Sequence, residues 1–566
     1  MKIIGIYGAL DWDANLFDTP DTYIHDAGAT LFINGIHIRS INEERLTRIK
    51  DEGNFPYKSI EYVLGGYTKE EIDVVCYPTS YPDIFQKQLV DGTASRIIKE
   101  QFPNAEIWLL SHHLCHAAST VFTSPFNSGS FLTLDGLGSG IWDFASGHTR
   151  GGESNSIGYF DKSKRIFRFF RGTGDLGMNS FGEYYCNMSQ MIYDDKHKES
   201  MRQESKLKPD VVENLQFAQN FDVTPKEGKI MGLSAYGKLL EGQGPPTCIS
   251  TLFPTSHFGI DRWETGMPEV HFYDYEMLYN NLKGTVEDKA YYVQYWFEKS
   301  LEYFIHELKK DYLEEDNCFA GGTFLNVCAN TILRPLFRNI HIPPFTNDSG
   351  IHFGAAAWGA YRSKETIELP HNIALLGKSY DDFVPEEKNC KYYDNFDDLC
   401  EFLAKELDDN KIVGWFQGRS EYGPRSLGSR SLLMSPKRSE NKDILNDRVK
   451  KRETWRPFAG IMLEEKVGEY FDPGFVSPYM LYSQTSITKK LPAITHKDMS
   501  CRIQTVNEQQ NARMYRLLSK LQPPVLLNTS FNQSGEPIIE TPEDAISSFT
   551  KMDIDYLVIG NYLLWN

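Results

Sequence analysis

The sequence predicts an α/β protein of more than one domain, and three observations carry that prediction. Apolar β-type runs end in glycine turns, as in SFLTLDG before LGSG and NCFA before Gly321-Gly322. Helix-period segments such as YYVQYWFEKSLEYFIHELKK and DDLCEFLAKELDD alternate with them. A polar interval without period, over about residues 365–395, separates two such stretches, and 566 residues exceed what one ordinary core holds.

Taken in order, KIIGIYG reads as a strand. The segment ATLFINGIHIRSINEERLTR reads as two strands around Asn34-Gly35 that run into a helix, because Asn-Gly supplies the two positive-φ positions of a tight hairpin. Between them lies an acidic, aromatic loop at residues 9–24, ALDWDANLFDTPDTYI. Residues from about 150 to 310 are rich in Tyr, Phe and Lys, include a loop-like GQGPPT, and end in a helix whose aromatics recur at packing positions. After the boundary come the helix DDLCEFLAKELDD, the strand KIVGWFQG, a basic segment, and the β-rich end PPVLLNTSF and DYLVIGNYLLW.

Composition narrows the function classes. Hydrophobic residues at 41% and charged residues at 24% are those of a folded globular protein. No apolar run reaches membrane-spanning length, and IIGIYGAL is too short and poorly flanked for a signal peptide, so the expectation is a cytoplasmic protein without a membrane partner. Nine scattered cysteines with no CxxC pair fit a reducing compartment. A net charge of −18 argues against broad nucleic-acid binding. Between Arg419 and Arg456, however, eleven Lys and Arg face five Asp and Glu, a local excess of +6 that marks a candidate anion site.

The stretch SHHLCHAAST holds three histidines in five positions. On a helix, His112 and His116 share one face, one turn apart, which suits a metal ion; the same spacing also fits a helix with satisfied histidines. The zinc-protease reading lacks its Glu, since His113 stands beside the first His. A hard metal would want carboxylates. Asp135 in TLDGLGSG and Asp348 in FTNDSGIHFG follow strand-like runs and precede plausible helix starts, where an N-cap or turn role is equally open. Two His and two Asp would suit Fe(II), Mn(II) or Zn(II).

The ordered motifs SHHLCHAAS, TLDGLGSG, EGKIMGLSAYG, GGTFLN and TNDSG resemble the N-terminal domain of the NodU/CmcH family of O-carbamoyltransferases, and GPRSLGSRSLL, VKKRETWRPFAG, CRIQTV and LLNTSFNQSGEPIIETPEDA are similar to its C-terminal domain. The resemblance implies an actin-like (ASKHA) duplicated ATPase-type domain over residues 1–370 and a YrdC-like α/β domain over 371–566. It implies an enzyme that makes carbamoyladenylate from carbamoyl phosphate and ATP and passes the carbamoyl group to a hydroxyl of a sugar-like or natural-product acceptor. Its metal set falls on His112, His116, Asp135 and Asp348, with Fe(II) foremost and Zn or Mn as alternatives, and Mg(II) accompanies ATP.

By the same resemblance, Arg425, Lys450, Arg456 and Arg502 hold anionic groups, and Asn528 and Ser530 add polar contacts. Gly321, Gly322 and Asn326 form a nucleotide turn, with Lys229 near the phosphates. His25 is the base toward the acceptor hydroxyl, a role an imidazole at its ordinary pKa suits, and Lys50 is a further functional position. The loop at 9–24 is longer than the family pattern; it either shapes acceptor choice or is a tolerated insertion. The alternatives are a tRNA threonylcarbamoyl transferase relative, which the acidic charge disfavours, and a nucleotide-binding actin-like protein without transfer activity, which leaves the histidines and the arginine-rich segment unexplained.

Overall fold

The computed structural model describes residues 1–10, 24–79, 92–136, 140–143, 148–174, 180–207, 227–240, 261–262, 268–269 and 275–566. The loop expected at 9–24 lies almost wholly outside these residues, as do GQGPPT and the middle of the turn after Asp135.

The first sheet is built from β1 (Lys2–Tyr7), β2 (Gly28–Ile33), β3 (Ile36–Asn42), β4 (Val74–Pro78) and β5 (Glu106–Leu110), in the order β3-β2-β1-β4-β5. The β2–β3 hairpin turns on Asn34 (φ 51°) and Gly35 (φ 81°), the paired positive φ values expected of Asn-Gly. Central β1 is buried from Ile3 to Tyr7, so its apolar run continues rather than alternates.

The second sheet uses β6 (Ser128–Leu134), β7 (Gly140–Asp143), β8 (His148–Asp161) and β9 (Ile166–Gly174), and two later strands, Asp316–Ala320 and Asn339–His341. It repeats the first in topology. In the first sheet β1 pairs antiparallel with β2 and β2 with β3, and in the second β6 pairs antiparallel with β8 and β8 with β9, the short β7 being an addition on β8, while in each sheet two later strands add in parallel on the other side. Helix His112–Thr123 packs on the second sheet and helix Ile351–Arg362 on the first, so the two helices form the middle of a sheet–helix–helix–sheet stack. The helices touch closely because residue 354 is glycine: a Cβ there would stand 1.8 Å from the Cys115 carbonyl oxygen.

The polar interval after this stack carries turns and a single bridge, Glu368 to Ile36, before the strand Cys390–Tyr392 begins a third, ten-stranded mixed sheet that ends at Trp565. Helices Phe396–Asp408 and Ala512–Ser519 cover one face of it. Trp415 is fully buried there, and its indole N–H donates to the Gly428 carbonyl at 3.0 Å. The two parts of the chain share cores. Leu481 joins the apolar cluster of the second sheet and its helices, and Tyr422 packs against Phe345 and Phe353 of the helix layer. Among the described residues no helix is long and apolar enough to cross a membrane.

Candidate active site

Two strand ends and two helix starts converge at the middle of the first stack. Ser111 caps helix His112–Thr123 by accepting from the Leu114 N–H, which puts His112 and His116 in its first two turns, both fully buried. Asp135 follows β6 directly, and Asp348 opens the short turn that leads into helix Ile351–Arg362. One ligand atom from each of His112, His116, Asp135 and Asp348 lies within 4.8 Å of all the others. The Nε2 atoms of His112 and His116 stand 3.2 and 3.0 Å from Asp135 Oδ2, and both are 3.4 Å from Asp348 Oδ1.

This is two carboxylates and two imidazole nitrogens aimed at one point, a donor set that fits a divalent cation. Burial disfavours charge on His112 and His116, yet the two carboxylates overcome it and raise both imidazoles, His112 to about 10. Burial likewise opposes ionisation of Asp135 and Asp348, and the imidazoles hold both carboxylates below their usual range. The cluster thus draws in positive charge, which protons or a metal ion can supply. His113 stands apart: its backbone N–H and Nδ1 bind Glu153 and Ser156, and burial lowers it to about 4, so it is a neutral packing residue.

His25 lies half exposed beside this cluster, with Nδ1 2.9 Å from Asp26 Oδ2, which also accepts from Asn347. Its imidazole does not sit at its ordinary value. Enclosure disfavours the charged ring, but the Asp26 hydrogen bond and the Asp348 and Asp51 carboxylates raise it to about 10. Lys50 reaches Asp51 at 2.9 Å on the same rim.

The glycine turn bears first on Asp135. Gly321 has φ 104°, and a Cβ there would stand 1.9 Å from the Leu134 carbonyl oxygen, while the Gly322 N–H donates to Asp135 Oδ1 at 2.9 Å. Asn326 caps helix Val327–Leu333 by accepting from Ala329, and exchanges two amide hydrogen bonds with Gln294 at 3.1 Å.

In the third sheet, Arg425, Lys450, Arg456 and Arg502 come together, joined by Arg452, which sequence reasoning passed over although it stands in the same VKKRETWRPF run. Burial and neighbouring cations act in one direction. They lower Arg425 to about 10 and Arg452 to about 9, and push Lys450 and Arg502 well down. Arg425 Nε and Arg452 Nε are buried without a hydrogen-bond partner. Lys450 donates to the Ser530 carbonyl and to Asn532 Oδ1 at 2.7 Å, so Asn532, two residues beyond Ser530 in TSFN, is a second residue the sequence reading missed. Asn528 donates to the Ser426 carbonyl, and its Oδ1 is buried without a partner. Lys229 lies on this side of the molecule, 3.1 Å from Glu453.

Comparison with known proteins gives the family. A family model described as carbamoyltransferase N-terminus matches residues 76–357, and one described as carbamoyltransferase C-terminus matches 404–566. The chain belongs to the carbamoyltransferase family. This carbamoyltransferase is 28% identical to nodulation protein NolNO of Sinorhizobium fredii across 100% of its own length and 82% of the relative's. It is 29% identical to an uncharacterized protein, sll1178, of Synechocystis across 96% and 95%, and 37% identical to nodulation protein U of Bradyrhizobium diazoefficiens across 38% and 39%. The N-terminal match contains all four cluster residues, and the C-terminal match contains all five cations.

Proposed function

We propose that this carbamoyltransferase is an ATP-dependent O-carbamoyltransferase with two chemically separate sites. In this reading, residues 1–370 form the actin-like transfer domain and 371–566 the YrdC-like domain that makes carbamoyladenylate. The observation that carries it is charge: one chain holds a buried cluster that attracts a cation and a pocket of five cations that attracts anions. Carbamoyl phosphate and ATP are both phosphate anions, and guanidinium forks bind their oxygens bidentately. By mass balance one water enters: carbamoyl phosphate and water give carbamate and phosphate, and attack of the carbamate oxygen on the α-phosphorus of ATP gives carbamoyladenylate and releases pyrophosphate. Arg425, Arg452, Arg456 and Arg502 would hold the phosphate oxygens and stabilise the charge that builds on the leaving group, with Lys450 fixed by Ser530 and Asn532.

At the other site His112, His116, Asp135 and Asp348 would hold the divalent cation, Fe(II) foremost, which when bound supplies Lewis-acid polarisation of a carbonyl and neutralisation of a phosphate. His25, oriented by Asp26, would take the proton from the acceptor hydroxyl, and its high proton affinity means that it must first be unloaded. The acceptor is a hydroxylated small molecule, sugar-like or a natural product. Gly321, Gly322 and Asn326 would bound the path of the adenylate by their backbone, since the Asn326 side chain is committed to its cap and to Gln294.

The test is incubation of the metal-loaded protein with carbamoyl phosphate, ATP and Mg(II) and no acceptor. Pyrophosphate and a carbamoyl-AMP mass should form, be lost on Arg456→Ala and persist on His112→Ala. Absence of both products with the unaltered protein overturns the two-site reading.

A further inference from the structure

Glu453 is the one acid set into the cationic pocket among the described residues, and three side chains from different places converge on it. Its Oε1 accepts from the Tyr193 hydroxyl and from Lys229 Nζ, each at 3.1 Å, and its Oε2 faces Arg456 Nη1 at 3.5 Å. Lys229 also lies 4.5 Å from the centre of the Tyr193 ring. Lys229 and Tyr193 belong to helices Glu227–Ser234 and Phe181–Leu207 of the first part of the chain, whereas Glu453 and Arg456 belong to the loop that carries the pocket. The contact is close-packed. A Cβ on Gly232 would stand 3.2 Å from Pro457 Cδ, so the Lys229 helix rests directly on the loop.

Partial burial resists ionisation of Glu453, but a backbone hydrogen bond together with Lys229 and Arg456 keeps it below the usual range, so it is a carboxylate with two cations. An arginine shared with a resident carboxylate is less available to an incoming anion, and a lysine that also neutralises that carboxylate weakens the competition. We propose that Glu453 is the resident counter-anion of the pocket: it holds Arg456 until a polyanionic phosphate ligand displaces it, and Lys229 sets how firmly it holds. This rests on the reading of the pocket as the site for phosphate-bearing substrates. It makes Glu453 a positioning residue acting through Arg456, and Lys229 a positioning residue acting through Glu453 rather than a phosphate ligand.

The experiment is calorimetric titration of the full-length protein with inorganic pyrophosphate at low ionic strength, for the unaltered chain, Glu453→Gln, Lys229→Met and the double variant. Removing the competing charge should tighten binding for Glu453→Gln, by about tenfold at an effective dielectric typical of such sites. Lys229→Met should weaken binding several-fold, and that loss should vanish in the Glu453→Gln background, because Lys229 then has no carboxylate to neutralise. Opposite signs separate the proposal from simple damage, which weakens both. Unchanged or weaker binding by Glu453→Gln overturns it, as does a Lys229→Met loss that persists undiminished in the double variant. If the unaltered protein binds no pyrophosphate, the phosphate reading of the pocket falls and this inference falls with it.

Discussion

The His–Asp cluster and the cationic pocket are built on opposite plans. In the cluster, opposite charges already face one another, two imidazoles against two carboxylates, and the ligand atoms lie within 4.8 Å. In the pocket five like charges are gathered with one carboxylate among them, and burial together with neighbouring cations lowers the proton affinity of Arg425, Lys450, Arg452 and Arg502. The first arrangement can persist by protonation when empty; the second is held against repulsion by the sheet and loop that carry it. The difference teaches where ligand binding should stabilise the protein most: at the pocket, where a polyanion relieves a standing repulsion.

The strongest way to break this comparison is to disable each site in turn. Lys450→Met should cut acceptor-independent pyrophosphate formation on the order of 10²–10³-fold, as loss of a preorganised charge does. Asp135→Asn should leave that reaction within about threefold while abolishing transfer to an acceptor by a similar factor. Initial rates of pyrophosphate release and of carbamoylated product, read side by side, check both; a joint loss in either variant would merge the sites.

Next in size is the support beneath the cluster. Gly321→Ala puts a Cβ against the Leu134 carbonyl at a positive φ, one residue before Asp135, and shifts the Gly322 N–H that holds Asp135. Metal affinity should fall on the order of 10–100-fold, as when a ligand loses its hydrogen-bonded support, with pyrophosphate affinity unchanged. Competition against a chromogenic chelator measures the first and calorimetry the second.

The two sites were unequally legible in the sequence. The His112/His116 pair is local: four-residue spacing on a helix puts both rings on one face whatever surrounds them, and the structure keeps that geometry. The hairpin at Asn34-Gly35 was legible for the same reason. That Asp135 and Asp348 reach the same point depends on two sheets and two helices meeting, which no spacing encodes; family resemblance supplied it. The local excess of +6 pointed to the pocket, but charge counting cannot say which cations turn inward. Arg438 and Arg452 both lie inside the segment and count alike, yet it is Arg452 that gathers with Arg456 and Arg502. Lys229 lies some two hundred residues from Glu453 in the chain, so their pairing was invisible before folding brought the helix onto the loop.

A smaller effect probes the junction between the two regions. Tyr422, from the segment that also carries Arg425, donates to the Ser349 carbonyl beside Asp348 and lies 3.1 Å from His352 Nε2. Tyr422→Phe removes those bonds without emptying the packed site against Phe345, and should cost about 1–2 kcal/mol of stability. Urea unfolding followed by tryptophan fluorescence measures it, and a variant as stable as the parent would show that the hydroxyl contributes nothing to the junction.

The smallest predicted effect concerns Glu298, which stands electrically between the regions: Gln294 donates to it at 2.7 Å and also pairs with Asn326, while Asp498 and Cys328 lie within its field. Burial, opposed in part by the Gln294 hydrogen bond, raises its carboxyl to about 7. In the unfolded chain the same group titrates near 4.5, so between those values the folded protein binds more protons than the unfolded one. Stability contributed by the neutral form is therefore complete below about pH 4.5 and is lost as pH rises to about 7, the window set by those two values. Glu298→Gln keeps the neutral shape at every pH. The difference in melting free energy between variant and parent should grow in the variant's favour across that window by about 1 kcal/mol, discounted for the partial exposure of the group, and then level off. A difference that stays flat across the window would mean that Glu298 ionises as freely folded as unfolded, and that the space between the sites is wet enough to solvate a carboxylate.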